Sequence, residues 1–353
     1  MSSPHAVDAL ATRSPRVPPE QLVAELVPPP RFADVRFSTY IPAPDQPSQA
    51  AAVQRMTAFG DQVREGSGTR SGGLGGLFRK KARPTGPGGL YLDGGFGVGK
   101  THLLSSLYHH VATEGGRPVA YGTFVEYTNL VGALGFLPAV EALAHNALVC
   151  IDEFELDDPG DTVLMSRLMR ELVDRGTRLA ATSNTLPDAL GEGRFAAQDF
   201  QREIQALASQ FETVRVDGED YRHRGLPAAP APVTSDAVRA AAGRAEGATL
   251  DEFPTLLAHL ADVHPSRYGA MIGSTRTVCL TDVATISDQM VGLRMVVLAD
   301  RLYDRDIPIV ASGVPFDALF TDELLHGGYK KKYLRAVSRL SALARDGAAL
   351  AQS

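Results

Sequence analysis

The sequence predicts an α/β protein with a doubly wound parallel sheet, followed by a C-terminal region of helices plus at least one added helix–strand unit. Short apolar runs of strand character alternate with helical windows between residues 89 and 220, as repeated βα units require. Several of these runs are almost continuously apolar, which is typical of parallel strands buried on both faces. A glycine-rich loop joins the first strand to the first helical window.

The strand candidates are, in chain order, GLYLDG, PVAYGTFVEY, ALVCIDEF, RLAATSN and ETVRVDG. The helical windows between them cover residues 100–113, 128–145, 161–175 and 198–210. Further along the chain, we expect helices at 236–262 and 285–304 and a strand in IPIVASG. LMRELVDRGTRLAATSN and LADRLYDRDIPIVASGV align at a fixed offset, which indicates a second helix–strand unit. Its strand is a candidate addition to the main sheet.

Composition suggests how the chain is organised. A Pro/Ala/Val-rich segment opens it, a Gly/Pro/Ser-rich loop interrupts it, and a Pro/Ala-rich linker divides it. We therefore expect a poorly ordered segment at 1–35, a core at 36–224 with a flexible loop at 66–89, a linker at 225–235, a lid-like region at 236–345 and a tail at 346–353. The loop contains the basic residues Arg79, Lys80, Lys81 and Arg83. It is either a solubilising loop or a mobile contact for an acidic partner.

Charge and cysteine content narrow the function classes. The 353-residue chain is 44% hydrophobic and 22% charged, with a net charge of −6, so no overall basic field attracts nucleic acid or anionic lipid. Cys150 and Cys279 both lie in apolar runs, which favours reduced thiols in a cytosolic compartment. We see no secretory signal and no apolar run long enough to span a membrane. We therefore expect a cytoplasmic protein.

The glycine-rich loop at residues 94–101 reads GGFGVGKT and matches the pattern G-x-x-x-x-G-K-[ST]. Glycines let backbone N–H groups point inward around a polyphosphate, and the helix that follows adds its N-terminal dipole. Lys100 places a charge on the β- and γ-phosphates, and Thr101 offers its hydroxyl to Mg²⁺. The candidate nucleotide-binding residues are Gly94, Gly95, Phe96, Gly97, Val98, Gly99, Lys100, Thr101 and His102.

Polar residues at the ends of two later strands predict hydrolysis in addition to binding. Asp152 ends the run ALVCIDEF and is a candidate Mg²⁺ ligand, while the adjacent Glu153 is a candidate general base for the attacking water. Asn184 ends RLAATSN, where a polar side chain can bond the γ-phosphate or that water; ordinary turn chemistry is the alternative.

These three motifs, in this order, resemble those of AAA+ ATPases, and further segments narrow the resemblance to the ZapE family of cell-division ATPases, which has mitochondrial relatives. The segments are GLYLDGGFGVGKTHLL, LVCIDEFELDDPGDTVLMSRLMRELVDRG, AATSNTLPDAL, GEDYRHR, LADRLYDRDIPIVASGVPFDAL and YLRAVSRLSAL. The resemblance runs from about Phe37 to Leu343 and implies a P-loop sheet of AAA+ type.

The resemblance also implies a function and a set of partners. Family members associate with the tubulin-like division-ring protein FtsZ on the cytoplasmic side, and the mitochondrial relatives act in protein quality control. Carried over by motif, Gly99, Lys100 and Thr101 bind ATP and Mg²⁺, Asp152 and Glu153 serve hydrolysis, and Asn184 is the first sensor. Arg294 and Arg339 are alternative candidates for a second sensor. Self-association that depends on nucleotide is implied as well.

One departure from the family pattern concerns the arginine finger. The family often has an R-x-R-F element before the fifth strand, but Ala197 and Asp199 stand at the two arginine positions here. Arg202 or Arg194 could serve instead, with a surface salt bridge as the alternative role. Because a finger stabilises transition-state charge, its loss would leave slow turnover.

Three functions remain open at this stage. The chain could remodel a protein partner, act as a nucleotide-gated adaptor with slow hydrolysis, or load a helicase as a DNA-processing factor. Net acidity weakens the third, although GGYKKKYLR is basic; such a run is more often a solvated helix face. Phe37 and Tyr40 are candidates for adenine contacts, with packing as the alternative.

Overall fold

The computed structural model describes residues 7–66, 88–95, 97–156, 159–186, 190, 201–218 and 229–352. The chain divides into two compact units. The core unit comprises Pro18–Pro28 and Phe32–Arg224, and the C-terminal unit comprises Met1–Val17, Pro29–Arg31 and Gly225–Ser353. Residues 67–87 of the loop expected at 66–89, with its basic residues, and residues 225–228 of the linker expected at 225–235 lie outside the described residues.

The sheet of the core unit has five strands, which are β1 Gly89–Gly94, β2 Val119–Thr123, β3 Leu148–Asp152, β4 Arg178–Ser183 and β5 Phe211–Val216. Their order is β2-β3-β4-β1-β5, and every pair is parallel. The predicted doubly wound parallel sheet is therefore confirmed. Because β4 separates β1 from β3, the carboxyl ends of these three strands lie side by side.

The helices of the core unit are α1 Pro19–Ala24, α2 Pro47–Glu65, α3 Lys100–His109, α4 Phe124–Leu134, α5 Phe136–Ala144, α6 Pro159–Asp174 and α7 Gln201–Ala208. A π-helical turn, His110–Glu114, extends α3. The side chains that alternate along the strands enter apolar clusters on opposite faces: Tyr91, Ile151 and Ala181 on one, Leu90, Cys150 and Ala180 on the other. Both faces are therefore covered, which explains the almost continuous apolar runs.

Two sequence-based boundaries in this unit were wrong. The strand predicted in PVAYGTFVEY ends at Thr123, because Thr123 and Glu126 form a capping box that starts α4. The window 128–145 contains two helices, because Gly135 has a φ of 84° that no helix continues.

The C-terminal unit has its own parallel sheet, in the order β6-β7-β8, with β6 Ala248–Glu252, β7 Thr277–Val283 and β8 Ile309–Gly313. Its helices are α8 Ser235–Arg244, α9 Phe253–Asp262, α10 Tyr268–Met271, α11 Gln289–Asp304, α12 Asp322–His326 and α13 Lys330–Gln352. The strand predicted in IPIVASG exists as β8, but its addition to the main sheet was wrong. The buried strand β7 is its partner, and β6 interrupts the helical stretch expected at 236–262.

The expectation of poor order at 1–35 does not hold for residues 7–35. Leu10 is fully buried, and the carboxylate of Asp251 accepts hydrogen bonds from the backbone N–H groups of Leu10 and Ala11 at 3.0 and 2.8 Å. In the core unit, the carbonyl of Leu26 accepts a bond from the Tyr121 N–H at 2.8 Å. The proline-rich segment is thus held by backbone bonds and by side-chain burial.

A glycine in α13 gives a test of the packing between this helix and β8. A Cβ on Gly347 would lie 2.0 Å from the carbonyl oxygen of Ile309. Alanine normally stabilises a helix interior relative to glycine by about 0.5–1 kcal/mol, but here we expect Gly347→Ala to destabilise by about 1–3 kcal/mol because the backbone must move. The measurement is thermal unfolding.

The matched control is Gly243→Ala in α8, where a Cβ would meet nothing within 4 Å. This change should leave stability unchanged or raise it slightly. Equal effects of the two substitutions would contradict the packing described for α13.

Candidate active site

The carboxyl ends of β1, β3 and β4 bring the predicted polar residues to one edge of the sheet. Asp93, at the end of β1, pairs with Ser183 in β4, and Ile151 in β3 pairs with Ala181. The phosphate loop, Asp152 and Asn184 therefore follow three adjacent strands at the same level. Ligands of open parallel sheets bind at such edges.

The phosphate loop has the backbone that its glycines predict. Gly97 and Gly99 have φ values of 69° and 88°, in the left-handed region that side chains disfavour. Helix α3 begins at Lys100, whose Nζ donates hydrogen bonds to the carbonyls of Gly94 at 2.7 Å and Gly95 at 2.5 Å. A left-handed glycine loop, a helix N-terminus and an ammonium group together fit a polyphosphate. Phe96 lies outside the described residues.

The carboxylate of Asp152 is held from neighbouring strands. Its Oδ1 accepts hydrogen bonds from the Thr182 hydroxyl of β4 and from the Thr101 hydroxyl at 3.4 Å, and its Oδ2 accepts one from the Tyr121 hydroxyl of β2 at 2.9 Å. Burial, together with the negative charge of Asp152, raises the pKa of Tyr121 well above its usual value, so Tyr121 remains a donor. The carboxylate is buried and has a fixed orientation.

The site has oxygen donors of the kind that Mg²⁺ requires. Asp152 and Thr101 supply a carboxylate and a hydroxyl close together, and Mg²⁺ is usually held by one or two protein oxygens plus substrate phosphates and water. Among the residues that the structure describes, no group of three or more His, Cys, Asp or Glu side chains could form an all-protein cage. The residues present therefore fit a magnesium ion that arrives with a nucleotide.

Glu153 has a strained backbone. Its φ of 52° lies in the left-handed region, which costs a residue other than glycine about 1–3 kcal/mol. Its N–H donates to Oδ1 of Asp152 and to the Thr182 hydroxyl, both at 3.1 Å, and the next N–H, of the buried Phe154, donates to the Thr182 carbonyl at 2.7 Å. These bonds maintain the strain, which is typical of functional sites.

Asn184 connects the phosphate loop to a second buried carboxylate. Its Oδ1 accepts a hydrogen bond from Lys100 Nζ at 2.9 Å, and its Nδ2 donates to Glu155 Oε1 at 3.3 Å. Glu155 thus determines which way the amide points. The sequence analysis did not single out Glu155 or Tyr121. For Glu155, the only available signal was that a polar residue stands two positions after Glu153.

Three residues near the loop have partners within the core unit. His102 Nε2 lies 3.0 Å from the Thr39 hydroxyl and 3.2 Å from the Arg36 carbonyl, and burial lowers its pKa. Its ring therefore faces the 3₁₀ turn Phe37–Thr39. The Phe37 ring packs edge-on against His110 at 5.7 Å, and the Tyr40 ring packs against His102 at 5.5 Å.

The candidate arginines lie in different surroundings. Arg202 is exposed on α7, and Arg194 lies outside the described residues. In the C-terminal unit, Arg294 donates to the carbonyls of Leu260 and Val263 at 2.6 and 3.1 Å, which caps the end of α9.

Arg339 forms a buried ion pair with Asp300 at 2.5 Å, and Arg335 contacts the same carboxylate at 2.7 Å. Burial raises the pKa of Asp300, but the two guanidinium groups outweigh it and hold the pKa below its usual value. The contacts described for Arg294 and Arg339 thus lie within the C-terminal unit.

Thr182 offers a test of the Asp152–Glu153 arrangement. Thr182→Val keeps the shape but removes the donor to Asp152 and an acceptor for the Glu153 N–H, so we expect ATP turnover to fall about tenfold or more. Steady-state ATPase kinetics measure this change. The control is Thr177→Val, which removes a buried hydroxyl that has no hydrogen-bond partner among the residues that the structure describes. Unchanged turnover in Thr182→Val would contradict the positioning role.

Sequence and structure comparisons find known proteins that are similar to this chain. The curated cell division protein ZapE of Escherichia coli strain K12 is 29% identical over 306 residues, which cover 75% of this chain and 80% of that protein. Lactation elevated protein 1 homolog B of Danio rerio is 26% identical over 166 residues, which cover 42% of this chain and 33% of that protein. The crystal structure of the DnaI matches with 14% identity and a TM-score of 0.41, covering 55% of this chain and 96% of that one.

In the part of the chain that the structure describes, every helix is too short or too polar to span a bilayer. The family model of the AFG1-like ATPases matches residues 16–237 and 232–350, which together include the phosphate loop, Asp152, Glu153 and Asn184. The chain therefore belongs to the AFG1-like ATPase family and is an ATPase.

Proposed function

We propose that this protein hydrolyses ATP with Mg²⁺ and uses the reaction to remodel or regulate a protein partner, the cytoplasmic cell-division ring protein FtsZ. The observation that supports hydrolysis is the single sheet edge where Lys100, Asp152, Glu153 and Asn184 follow three adjacent strands. The division role is supported by the similarity to the cell division protein ZapE. The proposal also places the protein in the cytoplasm, at the division site.

Each residue of the site has a distinct role in the proposed reaction. The loop amides of residues 94–99, the N-terminus of α3 and Lys100 bind the phosphates, and Thr101 and Asp152 would hold Mg²⁺. The ion, when bound, neutralises charge on the phosphate oxygens. Glu153 takes the proton of the attacking water, and Asn184 orients that water or the γ-phosphate.

The charge that develops on the transferred phosphoryl group needs a further cation. We propose Arg202 for this role, supplied by one copy of the chain to the nucleotide of its neighbour when ATP promotes self-association. Its exposure on α7 suits such a role. Arg194 is the alternative. Arg294 and Arg339 are alternative second sensors, and the contacts described for both lie within the C-terminal unit.

Substitution of the general base separates binding from turnover. Glu153→Gln keeps the side-chain length but removes the base, so we expect ATP binding to persist while turnover falls about 10²–10⁴-fold. Equilibrium binding of a fluorescent ATP analogue and steady-state phosphate release give the two quantities. Turnover close to that of the wild type would contradict the role of Glu153.

The wild-type protein and the Glu153→Gln variant also test the role of the partner. We expect polymerised FtsZ to stimulate turnover of the wild type, and Glu153→Gln to co-sediment with the polymer without turnover. Co-sedimentation without stimulation would instead favour the nucleotide-gated adaptor. A wild-type protein that neither co-sediments nor is stimulated would contradict the division role and leave the ATPase assignment intact.

The finger proposal has its own test. Arg202→Ala should lower ATP turnover by a factor of about 10³, the lower end of measured finger effects, while ATP binding stays unchanged. The control is Arg239→Ala. Arg239 is exposed on α8, and its ion pair with Asp236 at 3.3 Å contributes little because both side chains are exposed. Mixing Arg202→Ala with Glu153→Gln should restore part of the turnover if the finger acts between copies. Unchanged turnover in Arg202→Ala would reject the assignment.

A further inference from the structure

The residues that precede α2 contact the phosphate loop from outside the sequence motif. The hydroxyl of Tyr40 donates a hydrogen bond to the carbonyl of Val98 at 2.7 Å. The Tyr40 ring lies against Gly99, so close that a Cβ on Gly99 would be 2.5 Å from Tyr40 Cε2. One side chain therefore contacts two consecutive loop residues, through a hydrogen bond and through packing.

This hydrogen bond determines the direction of one loop amide. The Val98 carbonyl and the Gly99 N–H belong to the same peptide unit, and that unit is trans and planar. In a trans peptide the two groups point in opposite directions, so a carbonyl held towards Tyr40 directs the Gly99 N–H away from it. Phosphate binding by such a loop depends on N–H groups that all point to one side.

The Val98 side chain supplies a second anchor. It is buried in the apolar cluster that also contains Met56, Phe59 and Leu104. With the side chain held by the core and the carbonyl held by Tyr40, the peptide between Val98 and Gly99 has little freedom to rotate. Gly99 needs such support, because glycine itself places almost no restriction on φ and has a value of 88° here.

We propose that Tyr40 is a positioning residue of the ATPase site, whose hydroxyl fixes the Val98–Gly99 peptide so that the Gly99 N–H is directed at a nucleotide phosphate. This inference rests on the phosphate loop being the ATP site. It gives Tyr40 a role different from the adenine contact considered from the sequence, because the hydroxyl is committed to the loop backbone.

The test is Tyr40→Phe, which keeps the ring on Gly99 and removes only the hydroxyl. A phosphate contact is made in both the ground state and the transition state, so its weakening raises KM and leaves kcat unchanged. We expect KM for ATP, and the Kd of a fluorescent ATP analogue, to rise about five- to tenfold, with kcat within about twofold of wild type.

The matched control is Tyr127→Phe, which removes a tyrosyl hydroxyl that donates to the backbone carbonyl of Cys150 at 3.0 Å in the same unit. We expect the control to leave KM and Kd unchanged. Tyr40→Leu, which removes the ring as well, should raise the Kd at least as much as Tyr40→Phe and keeps the test available should one variant fold poorly.

The possible outcomes distinguish a failure of the positioning role of Tyr40 from a failure of the phosphate loop as the ATP site. A Kd that changes less than twofold in both Tyr40 variants overturns the positioning role, as does a fall in kcat at constant KM, which reports only a smaller active fraction. A wild-type protein that does not bind the ATP analogue overturns the assignment of the loop itself, and the inference with it.

Discussion

The candidate active site depends on one buried carboxylate, that of Asp152, and on its fixed orientation. Hydroxyls from β2, β4 and the start of α3 converge on its two oxygens, and the residue that follows it takes its backbone direction from the same set of bonds. A carboxylate at this depth must be hydrogen-bonded, since burying an unpaired charge is costly. The strand order β2-β3-β4 supplies those partners, so the sheet topology is itself part of the site.

The sequence predicted the parts of the site that local chemistry determines. GGFGVGKT could be recognised because a left-handed loop around phosphate requires glycine at fixed positions, and Gly97 and Gly99 have the expected φ values. Asp152 and Asn184 could be recognised because each ends an apolar strand. The contact of Asn184 with Lys100 and that of Asp152 with Thr182 follow once the strands are parallel and adjacent.

Other features could not be predicted, because they depend on strand order or on distant segments. Tyr121 and Glu155 sit in runs that look like ordinary strand and loop residues, and only the positions of β2 and β4 make them partners of Asp152 and Asn184. The second sheet was missed for a related reason: the sequence pattern showed a strand in IPIVASG but not which strand pairs with it. The N-terminal segment has the composition of a disordered tail, yet Asp251, about 240 residues away, holds its backbone.

The left-handed backbone of Glu153 limits how far this protein could be stabilised. Glycine, or to a lesser degree asparagine, would adopt that φ at lower cost, so selection for a more stable fold alone would remove the glutamate. Under the role proposed for Glu153 as general base, the chain retains a residue that costs stability because its carboxylate serves the reaction. That role would set stability against turnover at residue 153, so a stability-guided redesign of this enzyme would have to exclude that position.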